Sequence, residues 1–147
     1  MNRYPKETPE SRAFDAIFGG IGRLFRRKGT DRQAVTGSID RTYVQTEWTK
    51  LQELMVMGGE SRYQQAVVSA DKLLDYVLKA RVPGETMGDR LKNAGNMFTN
   101  RDTYQAAWNG HKLRNRLVHE TNYQVLSWEA KSALQDFERA LRDLGVL

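Results

Sequence analysis

The sequence predicts an all-α protein: an up-and-down four-helix bundle with an extra N-terminal amphipathic helix and a short connecting helix. Apolar residues recur with the 3.6-residue period of a helix through four long segments, and no useful length of chain alternates like a strand. Only three prolines interrupt the 147 residues. Because four amphipathic helices with short connections can bury their apolar stripes on one another, a bundle is their simplest architecture.

The first two long helices are predicted from the ends of their apolar stripes. Residues 39–57 form one helix with Ser38 as its N-cap, and the glycine pair beginning at Gly58 ends it. Residues 61–81 carry the most regular apolar stripe of the chain. This second helix should stop before Pro83, which cannot continue it.

A short connecting helix over residues 87–94 is expected next, followed by the two remaining long helices. One covers residues 102–119, and the other begins after Ser127, its expected N-cap, and ends at Gly145. Five aromatic residues fall on or beside the apolar stripes, which favours core packing over base stacking. They are Trp48, Tyr63, Tyr76, Trp108 and Trp128.

Residues 1–37 are predicted to form a lead-in, a basic amphipathic helix and a polar linker, separate from a bundle of residues 38–147. The helix follows Ser11, and its apolar stripe ends in a cluster of cations at residues 23–28. Three roles are open for it. It can fold back onto the bundle, dock against a partner protein or a second copy, or lie on an anionic membrane surface.

The formal net charge of +5 is concentrated in the N-terminal segment. Residues 1–32 hold eight Lys and Arg against four Asp and Glu, whereas residues 33–147 hold fifteen against fourteen. The predicted bundle is therefore nearly neutral and lacks the broad basic face of a general nucleic-acid binder. Any contact between the bundle and RNA should be local.

The composition also excludes several kinds of site. The absence of cysteine rules out a disulfide scaffold, a thiolate metal site and a cysteine nucleophile, and it fits a cytoplasmic protein. No apolar run approaches the roughly 20 residues needed to cross a bilayer, and no signal-peptide pattern opens the chain. Zinc-ligand spacing and a glycine-rich phosphate loop are both missing, so we expect no metal and no cofactor.

The end of the third long helix contains the residue types that metal-free phosphodiester cleavage requires. Arg114 supplies a permanent cation for a phosphate, and His119 supplies a titratable imidazole for proton transfer. Asn115 can hold the phosphate or orient the imidazole. Lys112 and Arg116 are the nearby cations expected to contact RNA.

The arrangement of Arg114, Asn115 and His119 near the end of the penultimate bundle helix resembles the motif of the HEPN superfamily of small helical bundles. The motif of that family is an Arg, followed by four to six residues and then a His. The first of the intervening residues is often Asn, Asp or His. The resemblance covers about residues 38–145 and implies a metal-independent endoribonuclease of toxin or defence type, acting as a homodimer. Other HEPN proteins are non-catalytic binding or regulatory modules, which is the alternative for this chain. An antitoxin is then one candidate partner for the N-terminal helix.

Helix geometry places the two motif residues on different faces. Five positions separate Arg114 and His119 by roughly 140° around the axis, so they cannot meet within one regular helix. Either the helix frays near Val118, or a second copy supplies the partner group across a two-fold axis, as the resemblance implies. In the structural alternative, Arg114 pairs with a buried acid and His119 caps the helix C-terminus beside Glu120.

Other titratable residues have both structural and functional interpretations. Asp71 and Asp75 lie one turn apart on the second long helix, with Lys79 a turn further on. Such a ladder is typical of an exposed helix face, although an acid there can instead orient the motif Arg or His across the bundle. His111, three residues before Arg114, fits a partly buried structural histidine better than a second catalytic base.

Overall fold

The computed structural model describes residues 37–147, which are helical and contain no strand within that range. The predicted all-α class is confirmed for these residues, whereas the helix predicted after Ser11 lies outside them. None of the described helices combines the length and apolar character needed to cross a bilayer. In chain order they are α1 (Arg41–Met57), α2 (Glu60–Lys79), α3 (Met87–Asn93), a 3-10 turn (Gly95–Met97), α4 (Arg101–His119) and α5 (Ser127–Asp143).

Helix α2 is at the centre of the packing. It contacts α1, α3, α4 and α5, and α4 also packs along α5. The regular apolar stripe of α2 accounts for this position, because it can serve several neighbours along its length. The largest fully buried side chains come from three of these helices: Leu74 and Leu78 of α2, Leu91 of α3, and Phe137 and Leu141 of α5.

Helix α1 begins at Arg41, two residues later than predicted, because Asp40 and not Ser38 is its N-cap. The Asp40 carboxylate accepts a hydrogen bond from the backbone N–H of Tyr43 at 3.0 Å. This is the third helical residue, which a capping side chain reaches most easily. The capping hydrogen bond of Asp40 therefore sets the start of the helix.

Helix α2 ends at Lys79 and not at residue 81. The backbone N–H groups of Arg81 and Val82 both donate to the carbonyl of Leu78, at 3.0 and 2.9 Å, which closes the last turn. Pro83 follows, and its ring disfavours helical backbone at the residue before it. The helix therefore ends before the proline, and two residues earlier than the apolar pattern predicts.

The two ends of α5 are set by different groups. Ser127 is its first residue and not its cap, since the side chain of Glu129 accepts from the backbone N–H of Leu126 at 3.0 Å. Tyr123 donates its hydroxyl proton to the same carboxylate at 2.5 Å. These two bonds, chiefly that from Tyr123, hold the pKa of Glu129 below its ordinary value. The predicted end at Gly145 is confirmed by its φ of 71°, which favours glycine.

The prediction of core packing is wrong for Trp128, which is 67% exposed. Trp128 lies two residues before the buried Ala130, about 200° around the helix, and so falls on the opposite face of α5. The other four predicted aromatic residues are buried or half-buried against the core: Trp48, Tyr63, Tyr76 and Trp108.

A glycine sets the close approach of α4 to α5. A Cβ atom on Gly110 would lie 2.6 Å from Cζ of Phe137 and 2.8 Å from its Cε1 and Cε2 atoms. Phe137 is fully buried, so its ring has no free volume into which it can move. The absence of a side chain at Gly110 therefore allows the two helices to pack at this distance.

We expect Gly110→Ala to lower the free energy of unfolding by about 1–3 kcal/mol through overpacking. This direction opposes helix propensity, which favours alanine over glycine by about 1 kcal/mol. Gly88→Ala in α3 is the matched control, since a Cβ there would meet nothing closer than 3.8 Å. Urea unfolding of both variants measures the difference, and a Gly110→Ala protein as stable as Gly88→Ala would contradict the packing argument.

Candidate functional site

Three polar side chains lie on one face of α4. His111, Arg114 and Asn115 are spaced three and four residues apart, which makes them neighbours on the helix surface. The packing of α4 against α2 brings this face to Asp71, a buried residue of α2. The site is therefore built from two helices whose relative position is held by the core.

These four side chains form a closed ring of polar contacts. Arg114 Nη1 donates to Asn115 Oδ1 at 3.0 Å, and Asn115 Nδ2 lies 3.2 Å from His111 Nε2. His111 Nδ1 lies 2.8 Å from Asp71 Oδ1. The second carboxylate oxygen of Asp71 completes the ring through an ion pair with Arg114 Nε, at 3.4 Å.

Only one arrangement of protons satisfies this ring. A guanidinium group can only donate, so Asn115 presents its carbonyl oxygen to Arg114 and its amide N–H to His111. Nε2 of His111 therefore accepts, and Nδ1 carries the proton that it donates to Asp71. The hydrogen bonds run in one direction, from the cation to the carboxylate.

The ring is closed from solvent at the carboxylate and partly open at the guanidinium. Asp71 is 3% exposed and His111 is 6% exposed, whereas the Arg114 side chain keeps 27% of its surface. Arg114 Nε is buried and faces Asp71 as an ion pair without a well-aligned hydrogen bond. Among the described residues, nothing bonds to Nη2 of Arg114. Asp71 and Asn115 thus hold the guanidinium along two sides, at Nε and Nη1.

His119 lies apart from this ring. It is the last residue of α4, its side chain is exposed, and it makes no hydrogen bond or ion pair within residues 37–147. The helix continues through Val118 to His119, so fraying does not bring it towards Arg114. The two motif residues therefore do not meet within one chain.

The structural alternative is right for one motif residue and wrong for the other. Arg114 does pair with a buried acid, Asp71. His119 does not cap the helix: Glu120 occupies the C-cap position, and its backbone N–H donates to the carbonyl of Arg116 at 2.9 Å. In the described part of the chain, the side chain of His119 therefore makes no hydrogen bond or ion pair that stabilises the helix end.

The two cations predicted to contact RNA differ in their surroundings. Arg116 is exposed, with its guanidinium carbon 4.1 Å from the ring centroid of Tyr123 and its Nε 3.6 Å from a Glu120 oxygen. Because Arg116 precedes His119 by three residues, the two lie side by side on the helix. Lys112 is half-buried one turn earlier.

The interpretation of Asp71, Asp75 and Lys79 as an exposed ladder is wrong for Asp71 and incomplete for Asp75. The other interpretation, an acid that reaches the motif Arg across the bundle, agrees with the contact between Asp71 and Arg114. Asp75 pairs with Lys79 at 3.0 Å, as expected, but it also pairs with the buried Arg90 of α3 at 2.6 Å. Arg90 Nη1 in turn donates to the carbonyl of Gly84 at 2.6 Å. Asp75 therefore joins α2 to α3, and Asp71 joins α2 to α4.

The contact between Asp71 and His111 was not predicted from the sequence, although the sequence does contain a signal that Asp71 is buried. Asp71 follows Val67 by four residues and precedes Leu74 by three, which places it inside the apolar stripe. A carboxylate in that position needs a polar partner from another helix.

Within residues 37–147, no three His, Cys, Asp or Glu side chains are grouped so as to hold a metal ion.

No family model, curated protein or solved structure matches the chain. A functional assignment therefore depends on the positions of Asp71, His111, Arg114, Asn115 and His119.

Proposed function

We propose that residues 38–147 form an up-and-down bundle of HEPN type, a cytoplasmic endoribonuclease of toxin or defence type that needs no metal ion. In the proposed reaction, the ribose 2′-oxygen attacks the adjacent phosphorus and the 5′-oxygen leaves. The products are a 2′,3′-cyclic phosphate and a 5′-hydroxyl. Support comes from the four long helices and from the position of Arg114, Asn115 and His119 at the end of α4, the penultimate helix.

The observation that carries this proposal is the way Arg114 is held. Its Nε and Nη1 are occupied by Asp71 and Asn115, while Nη2 has no partner among the described residues. A guanidinium fixed in this way can donate to a non-bridging phosphate oxygen without reorganising. Because charge builds up on that oxygen in the transition state, a pre-oriented cation there lowers the barrier.

His119 is the proposed proton-transfer group. Its exposed imidazole makes no hydrogen bond within the described residues, so it is accessible to an RNA substrate. It would act as general base on the 2′-hydroxyl or as general acid to the departing 5′-oxygen, beside the Arg114 of the other copy. The neighbouring Arg116 is suited to hold the RNA backbone beside it.

The proposed site requires two copies of the chain. Arg114 faces α2 and His119 faces solvent, so a complete set of groups arises only if two α4 helices meet near a two-fold axis. Val118, next to His119, is 49% exposed and offers an apolar contact for such a meeting. The near-neutral charge of residues 33–147 reduces repulsion between copies.

The test uses the full chain with single-stranded RNA in excess EDTA. We expect cleavage that leaves 2′,3′-cyclic phosphate ends, because no metal ion takes part. The matched control is the same sequence with 2′-O-methyl groups, which should resist cleavage because it lacks the nucleophile. A requirement for magnesium, or cleavage of the methylated strand, would sink the assignment.

A non-catalytic HEPN-like binding module is the second candidate, and the ring itself favours it. The charge of Arg114 is already paired with Asp71, and both ring nitrogens of His111 are engaged. In this case the same face would bind RNA or a partner protein without cleaving it. Binding of RNA with intact ends after long incubation would select this alternative.

A further inference from the structure

Two members of the buried ring take no direct part in the proposed reaction. Asp71 and His111 are too buried to touch a substrate, yet each contacts a residue of the motif: Asp71 contacts Arg114, and His111 contacts Asn115. The two residues can therefore influence the partly exposed guanidinium of Arg114 only through these contacts.

We propose that Asp71 and His111 are positioning residues that fix the direction in which Arg114 presents its guanidinium to a phosphate ligand. The inference rests on the proposed function, since it assumes that Arg114 meets a phosphate of RNA. It adds two residues of α2 and α4 to those that the motif itself contains.

The burial of Asp71 is the first argument. A carboxylate that is 3% exposed needs a compensating partner, and Arg114 is the cation that it contacts in the described part of the chain. If Arg114 swung out towards solvent, Asp71 would keep only the proton of His111 Nδ1. A long side chain that would otherwise sample many rotamers is thereby confined to one.

The second argument is the direction of the hydrogen bonds through His111. Nε2 of His111 accepts from the Asn115 amide, which leaves Asn115 Oδ1 turned towards Arg114. Without that acceptor the amide could turn over and place its N–H group against Arg114, which also only donates. Trp108 packs edge-on against His111, with the two ring centroids 6.0 Å apart.

The third argument concerns energy. A buried ion pair often stabilises a fold no more than apolar side chains of the same volume would. Stability alone therefore gives little reason for a carboxylate inside the apolar stripe of α2. A fixed orientation of the guanidinium, by contrast, is something that apolar packing cannot supply.

The experiment is a double-mutant cycle with Asp71→Asn and Arg114→Ala in the full chain. The readout is the affinity for a 2′-O-methyl RNA oligonucleotide, which binds without being cleaved. Asp71→Asn should weaken binding by about tenfold in the wild-type background and by less than about twofold once Arg114 is absent. Effects that multiply independently would overturn the positioning role, since a purely structural residue acts in either background. The conservative variant Asp71→Glu, which keeps the charge, should recover part of the loss.

A second measurement needs neither RNA nor a variant. Nitrogen NMR of the free wild-type chain should show His111 protonated at Nδ1 and not at Nε2, and an Arg114 Nε–H signal protected from solvent exchange. A His111 protonated at Nε2, or a rapidly exchanging Arg114 Nε–H, would overturn the inference even if RNA is cleaved.

In the double-mutant cycle, binding with the expected coupling but without cleavage would reject the ribonuclease and keep the positioning role. A chain that binds no oligonucleotide would reject both.

Discussion

Replacing His119 with alanine is expected to slow RNA cleavage by about 10²–10⁴-fold, the usual contribution of a general acid or base. The free energy of unfolding should change by no more than about 0.5 kcal/mol, because the side chain is exposed and unbonded in the described structure. Arg114→Ala should also slow cleavage, by about 10²–10³-fold. Unlike His119→Ala, it should lower stability as well, since it leaves the buried Asp71 without its cation.

The control for these variants is Arg101→Ala, which removes an exposed cation from the other end of α4. It should leave both the rate and the stability near wild type. Mixing inactive Arg114→Ala and His119→Ala chains should restore part of the activity, because a two-fold dimer of unlike chains contains one intact pair. Full activity of His119→Ala, measured on single-stranded RNA in EDTA, would remove His119 from the mechanism.

Replacing Arg90 with methionine is expected to lower the free energy of unfolding by about 3 kcal/mol. Arg90 is 6% exposed, pairs with Asp75 at 2.6 Å and donates to the carbonyl of Gly84. Methionine fills a similar space but leaves the Gly84 carbonyl without its donor and the Asp75 carboxylate with only the exposed Lys79 as a partner. Chemical unfolding of the full chain, followed by circular dichroism, measures the loss.

Two further variants separate the buried ion pair from the exposed one on the same carboxylate. Lys79→Met removes the cation that is 61% exposed and should cost about 0–1 kcal/mol. The double variant Asp75→Leu with Arg90→Met should recover much of the loss of Arg90→Met, because no largely buried carboxylate is then left with only the exposed Lys79 as its partner. Equal losses for Lys79→Met and Arg90→Met would show that burial does not govern this pair.

The helices were predictable because each depends on a local pattern. Apolar residues at helical spacing place α1, α2, α4 and α5 within one or two residues of their positions in the structure. The errors fall at the ends, where a single hydrogen bond decides. Asp40 competes with Ser38 as a cap, and Glu129 sets the start of α5 in place of the Ser127 hydroxyl.

The candidate site was predictable only along one helix. The spacing of Arg114 and His119 was enough to show that they lie on different faces of α4, and the structure has them so. The spacing of Asp71, Asp75 and Lys79 left two interpretations open, an exposed ladder and an acid that orients the motif Arg or His across the bundle. It could not show that Asp71 faces α4 and that Asp75 faces α3.

By itself the sequence determined where the long helices of residues 38–147 lie to within one or two residues, which residues share a face of each helix, and which residue types are available for phosphate chemistry. The reason is that helical periodicity depends only on neighbours in the chain. Only the tertiary structure decided that Asp71, His111, Asn115 and Arg114 form one ring and that His119 stays outside it. The two contacts of Asp71, with His111 and Arg114, join residues 40 or more positions apart, so they depend on how α4 packs on α2. Gly110 against Phe137 fixes the neighbouring contact of α4 with α5.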